Sequence, residues 1–240
     1  MPILEELLAT IRTSAKASQV AVGPFLTAVA AKTCGGLATT QLPPRHQGRE
    51  PQASDSGGYA GSKLRDLARL VLSPRPLEAS LGLAALNAAL PRETERLREQ
   101  HGLDFLKARV KGRNLTLVGH FPFARELEPL ARHCWILEQE PQAGDLPDTA
   151  AAQVIPDSQV VVITGSAFAN RTIEPLLALA RGKEVVVLGP SSPLSAVLFD
   201  YGVTAIGGTV VEDPGLVVRQ VREGAVYRQL RGVKRVLMQK

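Results

Sequence analysis

The chain has 240 residues, of which 45% are hydrophobic, and a formal net charge of +5 at pH 7. This length is enough for one large or two small domains that each bury a core. No segment approaches the roughly 18 uninterrupted apolar residues of a membrane span. Basic residues alternate with acidic ones, as in residues 92–99 (RETERLRE), so neither a nucleic-acid partner nor a membrane partner is indicated. With two cysteines, a disulfide framework is not expected, and we expect a cytoplasmic protein.

The first hundred residues predict a small α+β domain. Apolar residues at helical spacing predict an amphipathic first helix and not a signal peptide: Ile3, Leu4, Leu7, Leu8 and Ile11. Residues 19–40 alternate and contain glycines, which predicts strands at Val20–Val22 and Thr27–Lys32 and an extended piece at Leu37–Thr40. Residues 41–62 are rich in proline, glycine, serine and charge, and a long loop of this kind is typically functional or disordered. We expect it to be mobile.

Two helices follow this loop, at residues 63–72 and 77–90. The second is rich in alanine, and small residues permit close packing of another element. We therefore expect a homodimer that uses this helix or a sheet edge, since twofold dimers are the commonest assembly. The alternative is that the helix packs on the sheet of its own domain. A charged segment at residues 91–101 places the domain boundary near residue 100.

The remainder, residues 101–240, alternates strands with helices. Five short apolar runs predict buried strands: Leu115–Val118, Trp135–Leu137, Val160–Ile163, Val185–Leu188 and Val203–Ile206. Unbroken runs of this kind are typical of strands buried on both faces of a parallel sheet. Helices are predicted at 124–132, 148–154, 173–180 and 193–199 and after Asp213-Pro214, and residues 226–238 predict an added strand or hairpin. The fold class is therefore α/β, a doubly wound parallel sheet preceded by the smaller α+β domain.

Small polar turns end several of these strands, where ligands bind in open parallel sheets. The candidate ligand-binding residues are Gly119, Thr164, Gly165, Ser166, Asn170, Gly189, Pro190 and Ser191. Ser192 precedes Pro193 as a predicted helix cap, which leaves Ser191 as the freer hydroxyl. The alternatives are that Asn170 only ties its own loop and that residues 189–192 form a tight turn. A dinucleotide fingerprint is absent, because Pro122 occupies the place of its second glycine.

His120 follows the first of these strands, and three acidic residues follow the second. The candidate metal ligands are His120, Glu138, Glu140 and Asp145. Imidazole and carboxylate are ligands for divalent transition metals. No closely spaced histidine or cysteine motif accompanies them, so the signal from spacing alone is weak.

Several longer motifs carry a resemblance to a known family. LEQEPQAGDLPDTAA, VVVITGSAFANRTIEPLLALA, VVVLGPSSPLSAVLFDYGV and GGTVVEDP resemble an uncharacterised bacterial and archaeal family named for heavy-metal chelation. GPFLTAVAAKTCGGLATT and LEASLGLAALNAAL look like the domain that usually precedes it, whose fold is similar to the amino-terminal domain of enolase. The resemblance implies a Rossmann-like domain and an enolase-like domain with a cleft between them. It does not imply enolase chemistry, because the barrel of that enzyme is missing.

Two functional hypotheses follow. The first is a metal-handling protein that binds a metal ion or a small-molecule metal chelate in the cleft, at the carboxyl ends of the parallel strands. The second is an enzyme that acts on a small anionic metabolite or nucleotide-like ligand held by the glycine, serine and threonine turns.

Overall fold

The structure, a computed structural model, describes residues 2–43 and 52–240. Within them, the amino-terminal part forms a small antiparallel sheet with helices beside it. Its strands are β1 (Gln19–Val22), β2 (Leu26–Ala30) and β3 (Gly35–Thr39), paired in that order. Its helices are α1 (Pro2–Ala9), α2 (Leu64–Ala68) and α3 (Pro76–Ala89). The predicted first helix, three extended segments and two later helices are confirmed.

The carboxyl-terminal part forms a large sheet. Its strands are β4 (Leu97–Arg98), β5 (Asn114–Val118), β6 (His133–Glu138), β7 (Leu146–Pro147), β8 (Val160–Thr164), β9 (Glu184–Leu188), β10 (Ala205–Val211) and β11 (Val233–Gln239). Its helices are α4 (Gly102–Val110), α5 (Ala124–Leu127), α6 (Ala151–Val154), α7 (Ile173–Leu179), α8 (Val197–Asp200) and α9 (Pro214–Arg222). None of the helices in the described residues is both long and apolar enough to cross a membrane.

The large sheet has the order β4-β11-β10-β9-β8-β5-β6-β7. The strands from β10 to β7 run parallel, whereas β11 pairs antiparallel with both β10 and β4. The chain builds outward from β5 to β6 and β7, and then returns to the other side of β5 for β8, β9 and β10. The direction of winding therefore reverses between β5 and β8, which is where open parallel sheets form a binding crevice.

Helices cover both faces of the large sheet, which explains its uninterrupted apolar strands. Val160 and Val162 pack in a cluster with α4 and α5, while Val161 and Ile163 pack with α1 and α7 on the opposite face. Because side chains alternate along a strand, both sets must be apolar when both faces are buried. The predicted α/β fold class, a doubly wound sheet with a smaller α+β part, is confirmed.

The small sheet lies between α3 on one face and α9 on the other. A Cβ on Gly36 would lie 2.2 Å from the carbonyl oxygen of Ala84, so the contact between β3 and α3 requires glycine. Most of α3, including Leu81, Leu83 and Leu86, is fully buried within its own chain. The predicted dimer contact through this helix is therefore wrong, because its own sheet and α2 already cover it.

The predicted loop at residues 41–62 lies partly outside the described residues. Residues 52–62 form turns that hydrogen-bond to the rest of the chain, and their mobility stays a prediction. Tyr59 is 8% exposed, and the N–H of Gly61 donates to the carbonyl of Ala17 at 2.8 Å. The N–H of Ser54 donates to Glu78 at 2.7 Å.

Candidate functional site

A cavity of about 990 Å³ lies at the carboxyl ends of the parallel strands. The turns after β5, β8 and β9 line it, as predicted, together with residues of β10, β11 and the small sheet. Of the candidate ligand-binding residues, these contribute to its surface: Gly119, Thr164, Ser166, Asn170, Gly189 and Pro190. Gly165 and Ser191 do not lie on that surface.

Glycines let the three turns approach one another. Gly119 has a φ of +106°, and a Cβ there would lie 3.0 Å from the Cβ of Thr164. A Cβ on Gly165 would lie 2.4 Å from the backbone nitrogen of Ser192, in the turn after β9. A side chain at either position would force the turns apart, so the sequence of these turns sets the shape of the crevice.

His120 lies in the cavity lining with a carboxylate beside its ring. Its Nδ1 lies 3.1 Å from Oδ2 of Asp145, which also accepts from the N–H of Gln142 at 3.1 Å. The carboxylate of Glu138 accepts from the backbone N–H groups of His120 and Gln139. Since an ionised carboxylate only accepts, the contact favours the proton on Nδ1, and in the neutral imidazole Nε2 then carries the lone pair. A carboxylate that orients an imidazole in this way is the arrangement usually found behind a metal-bound histidine.

The other predicted metal ligands do not complete a metal site. Asp145 and Glu138 are already engaged by N–H donors, and Glu140 is exposed and forms no hydrogen bond or ion pair with a described residue. No group of three or more histidine, cysteine, aspartate or glutamate side chains in residues 2–43 and 52–240 could hold a metal ion. The donor set therefore does not fit an ion held by protein ligands alone. It offers one free imidazole nitrogen.

Asn170 both ties its own loop and reaches the cavity. Its Oδ1 accepts from the backbone N–H of Thr172 at 3.2 Å and from the Thr172 hydroxyl at 2.8 Å. Its Nδ2 has no hydrogen-bond acceptor among the described residues, which leaves a donor for a ligand. The hydroxyl of Thr164 accepts from the N–H of Ser166 at 3.4 Å, and both residues line the cavity.

The two serines after β9 have the opposite roles to those predicted. Ser191 is 1% exposed, its hydroxyl accepts from the N–H of Thr39 at 2.7 Å, and its carbonyl accepts from Asn87 at 3.2 Å. It therefore joins the two sheets and does not face the cavity. Ser192 caps no helix, because α8 begins only at Val197, and its buried hydroxyl has no partner among the described residues.

The sequence did not point to several other residues of the cavity. Phe121 and Phe123 stack with ring centroids 5.3 Å apart, and Phe25 enters from the small sheet. Tyr227 and Arg235 line the opposite side. The GHFPF segment after β5 could have pointed to Phe121 and Phe123, because it directly follows a predicted strand. The others depend on strand pairing and domain packing, which no local pattern reveals.

The fold and the crevice define a two-sheet α/β protein with a cavity at the point where the winding of its parallel sheet reverses. A family model described as "Putative heavy-metal chelation", DUF364, matches residues 102–238, and the chain belongs to this family. A second model with the same description, DUF4213, matches residues 4–90.

Two solved structures share the fold along the whole chain. A protein of unknown function from the DUF364 family of Desulfitobacterium hafniense is 25% identical, with a TM-score of 0.82, over 100% of this chain and 97% of the other. A DUF364 protein of unknown function from Pyrococcus horikoshii is 17% identical, with a TM-score of 0.82, over 99% and 98%. No curated protein is significantly similar to the chain.

Proposed function

We propose that the protein handles metal by binding a small organic metal chelate in the cavity, with Nε2 of His120 as its ligand to the metal. The observation that carries the proposal is the oriented imidazole of His120 at the surface of a cavity of about 990 Å³. That volume is in the range of cavities that hold organic molecules, roughly 300 to 1,000 Å³, and is far larger than one ion needs.

The donor set supports a chelate over a bare ion. A chelator that supplies most of the coordination needs from the protein only one further ligand, which is what the His120–Asp145 pair offers. The turns after β8 and β9 would then contact the organic part through Ser166, Asn170 and Gly189. The family description is consistent with this role.

The copper(II) complex of terpyridine is a suitable probe, because its three ligand nitrogens leave one open position that imidazole prefers. Titration calorimetry of the parent and His120→Ala should show at least tenfold weaker binding by the variant. Electron paramagnetic resonance should lose the coupling to the imidazole nitrogen. Affinity should also fall on acidification, because a protonated imidazole has no lone pair for the metal.

His133→Ala is the matched control, since His133 lies at the amino end of β6, beside Trp135 and outside the cavity lining. It should bind the probe as the parent does. Equal affinity and equal spectra for the parent and His120→Ala would overturn the proposal.

The second candidate is an enzyme that acts on a small anionic metabolite. The free Nδ2 of Asn170 and the hydroxyls of Thr164 and Ser166 favour it, because all three polar residues line the cavity. Binding of metal-free anions that His120→Ala leaves intact, together with loss of that binding in Asn170→Ala, would favour this alternative.

Other parts of the proposal concern fold likeness, location and assembly. The strand order supports a Rossmann-like description of the large sheet, and the small sheet with its helices supports the enolase-like description. Two free cysteines support a cytoplasmic location. A homodimer would have to use a sheet edge, such as that of β7, since α3 is buried. Light scattering tests it.

A further inference from the structure

We infer that the organic part of this ligand is elongated and carries an oxyanion at the end away from the metal, where Arg235 and Arg228 bind it. The inference rests on the proposed function, because it concerns the same ligand. It follows from the distribution of charge along the cavity.

The ionic groups of the cavity are separated according to strand order. Glu138 ends β6 and Asp148 follows β7, at one side of the large sheet. Arg235 lies on β11, and Arg228 lies in the turn that precedes it, at the other side. His120, after β5, belongs to the acidic side. Among the described residues, the cavity therefore has an acidic end that contains His120 and a basic end without a carboxylate of its own, where His101 follows β4.

The guanidinium of Arg235 is held in place by neutral groups. Its Nη2 donates to the carbonyl oxygen of Tyr227 at 3.1 Å, and its Cζ lies 4.9 Å from the centroid of the Tyr227 ring. The Tyr227 hydroxyl is in turn hydrogen-bonded to Thr209 at 2.6 Å, and Thr209 is the register partner of Arg235 across β10 and β11. This side chain is thus oriented before a ligand arrives.

The charge of Arg235, however, has no acidic partner in residues 2–43 and 52–240. Among the described residues, no aspartate or glutamate forms an ion pair with Arg235 or Arg228. Arg109 and Arg113, by contrast, both pair with Glu184 at 2.7 Å. A half-buried, oriented guanidinium without a counter-ion is a ready site for an oxyanion, which it can bind through two parallel hydrogen bonds.

The dimensions set the shape of the ligand. Four strand spacings separate β5 from β11, which at about 4.8 Å each is roughly 19 Å. Subtracting roughly 4 to 5 Å of side-chain length at each end leaves roughly 10 Å for a ligand to span. Phe25, Phe121 and Phe123 supply aromatic surface to the same cavity. A flat, conjugated chelator with a distant carboxylate or phosphate fits these features.

Two copper(II) complexes that differ only in a carboxylate distant from the metal test the inference. One carries 4′-(4-carboxyphenyl)-terpyridine, in which about 10 Å separates metal and carboxylate, and the other carries 4′-phenyl-terpyridine. The parent should bind the carboxylate probe about tenfold more tightly, as expected for a charge-assisted hydrogen bond. Arg235→Gln should abolish that preference, so that it binds the two probes with equal affinity. The phosphonate analogue, measured in parallel, shows which oxyanion is preferred.

Arg228→Gln, at an exposed position, should reduce the same preference even if Arg235→Gln folds poorly. Arg65→Gln, on α2 and outside the cavity lining, is the matched control and should keep it. A parent without preference, or a preference that survives in both cavity variants, would overturn the inference. Binding of the metal-free forms of the two probes tests the anion site independently of the proposed metal ligand. If His120→Ala leaves copper binding unchanged, the metal proposal fails, while the metal-free pair still tests the anion site.

Discussion

Replacing Glu78 by glutamine should destabilise the protein strongly at neutral pH and much less in acid. Glu78 is 2% exposed at the start of α3. Its carboxylate accepts from the N–H of Ser54 at 2.7 Å and from the hydroxyl of Ser73 at 2.6 Å, and it pairs with Arg75 at 3.4 Å. It thereby connects the turns on either side of α2 to α3.

The magnitude follows from the pKa of this group. Burial alone would raise the pKa of Glu78, but hydrogen bonds from Ser54 and Ser73 and the charge of Arg75 lower it from 4.5 to about 2. A pKa that is lower in the folded than in the unfolded chain gives stability that is complete above about pH 4.5 and is lost as the pH falls toward 2. At about 1.4 kcal/mol for each pKa unit, the charged form contributes roughly 3 kcal/mol, of which about 2 kcal/mol is lost by pH 3.

Urea unfolding followed by circular dichroism, at several values from pH 7 to pH 3, measures the free energies of unfolding of the parent and Glu78→Gln. The difference should be about 3 kcal/mol at pH 7 and about 1 kcal/mol at pH 3. Glu212→Gln, which breaks a pair with Lys234 between side chains 47% and 48% exposed, is the control and should change stability by less than about 1 kcal/mol. A difference for Glu78→Gln that is the same at both ends of the pH range would refute the reasoning.

Three further changes test the packing and the charges. Gly82→Ala would place a Cβ 1.9 Å from the backbone nitrogen of Val71, so we expect the free energy of unfolding in urea to fall by roughly 3 kcal/mol. Gly215→Ala is the control: its Cβ would have its nearest neighbour at 3.6 Å, so stability should be unchanged or slightly higher. Burial, with a nearby glutamate, raises the pKa of Cys134 to about 12. Iodoacetamide at pH 8 should therefore alkylate Cys134 far more slowly than it alkylates the thiol of glutathione, and rapid labelling of Cys134 would contradict this. Glu184→Gln loses contacts to two arginines at 2.7 Å, so the free energy of unfolding should fall by about 1 kcal/mol, and by less in 1 M salt. An effect that salt does not alter would point to packing instead of charge.

The elements of the fold were predictable where a local pattern determined them. The apolar runs of β5, β8 and β9 identified buried parallel strands, and Asp213-Pro214 identified the start of α9, where Asp213 accepts from the N–H of Leu216 at 2.9 Å. α4 was not predicted, because it is short and begins at Gly102 after a charged segment. The helix expected from Pro193 is only α8, since residues 191–195 are not helical and Ser191 is held by the N–H of Thr39 in the small sheet.

The candidate site was partly predictable for the same reason. Glycine and small polar residues at strand ends identify the turns of a parallel sheet, so Gly119, Thr164 and Gly189 could be found from the sequence. The pairing of His120 with Asp145 joins residues 25 apart and depends on where the loop after β6 turns back. Arg235 depends on the antiparallel addition of β11, which the sequence suggested only as a strand or hairpin.

The position of α9 against the small sheet bears on how this chain can be divided. Its apolar side, with Val217, Val218 and Val221, packs on Leu26 and Leu37 of the small sheet. Separate expression of either family-matched segment would expose its own half of this contact to water, and with it apolar surface that favours aggregation. Although two family models describe it, the molecule should melt in a single cooperative transition, and a ligand in the cavity should raise the melting temperature of both parts together.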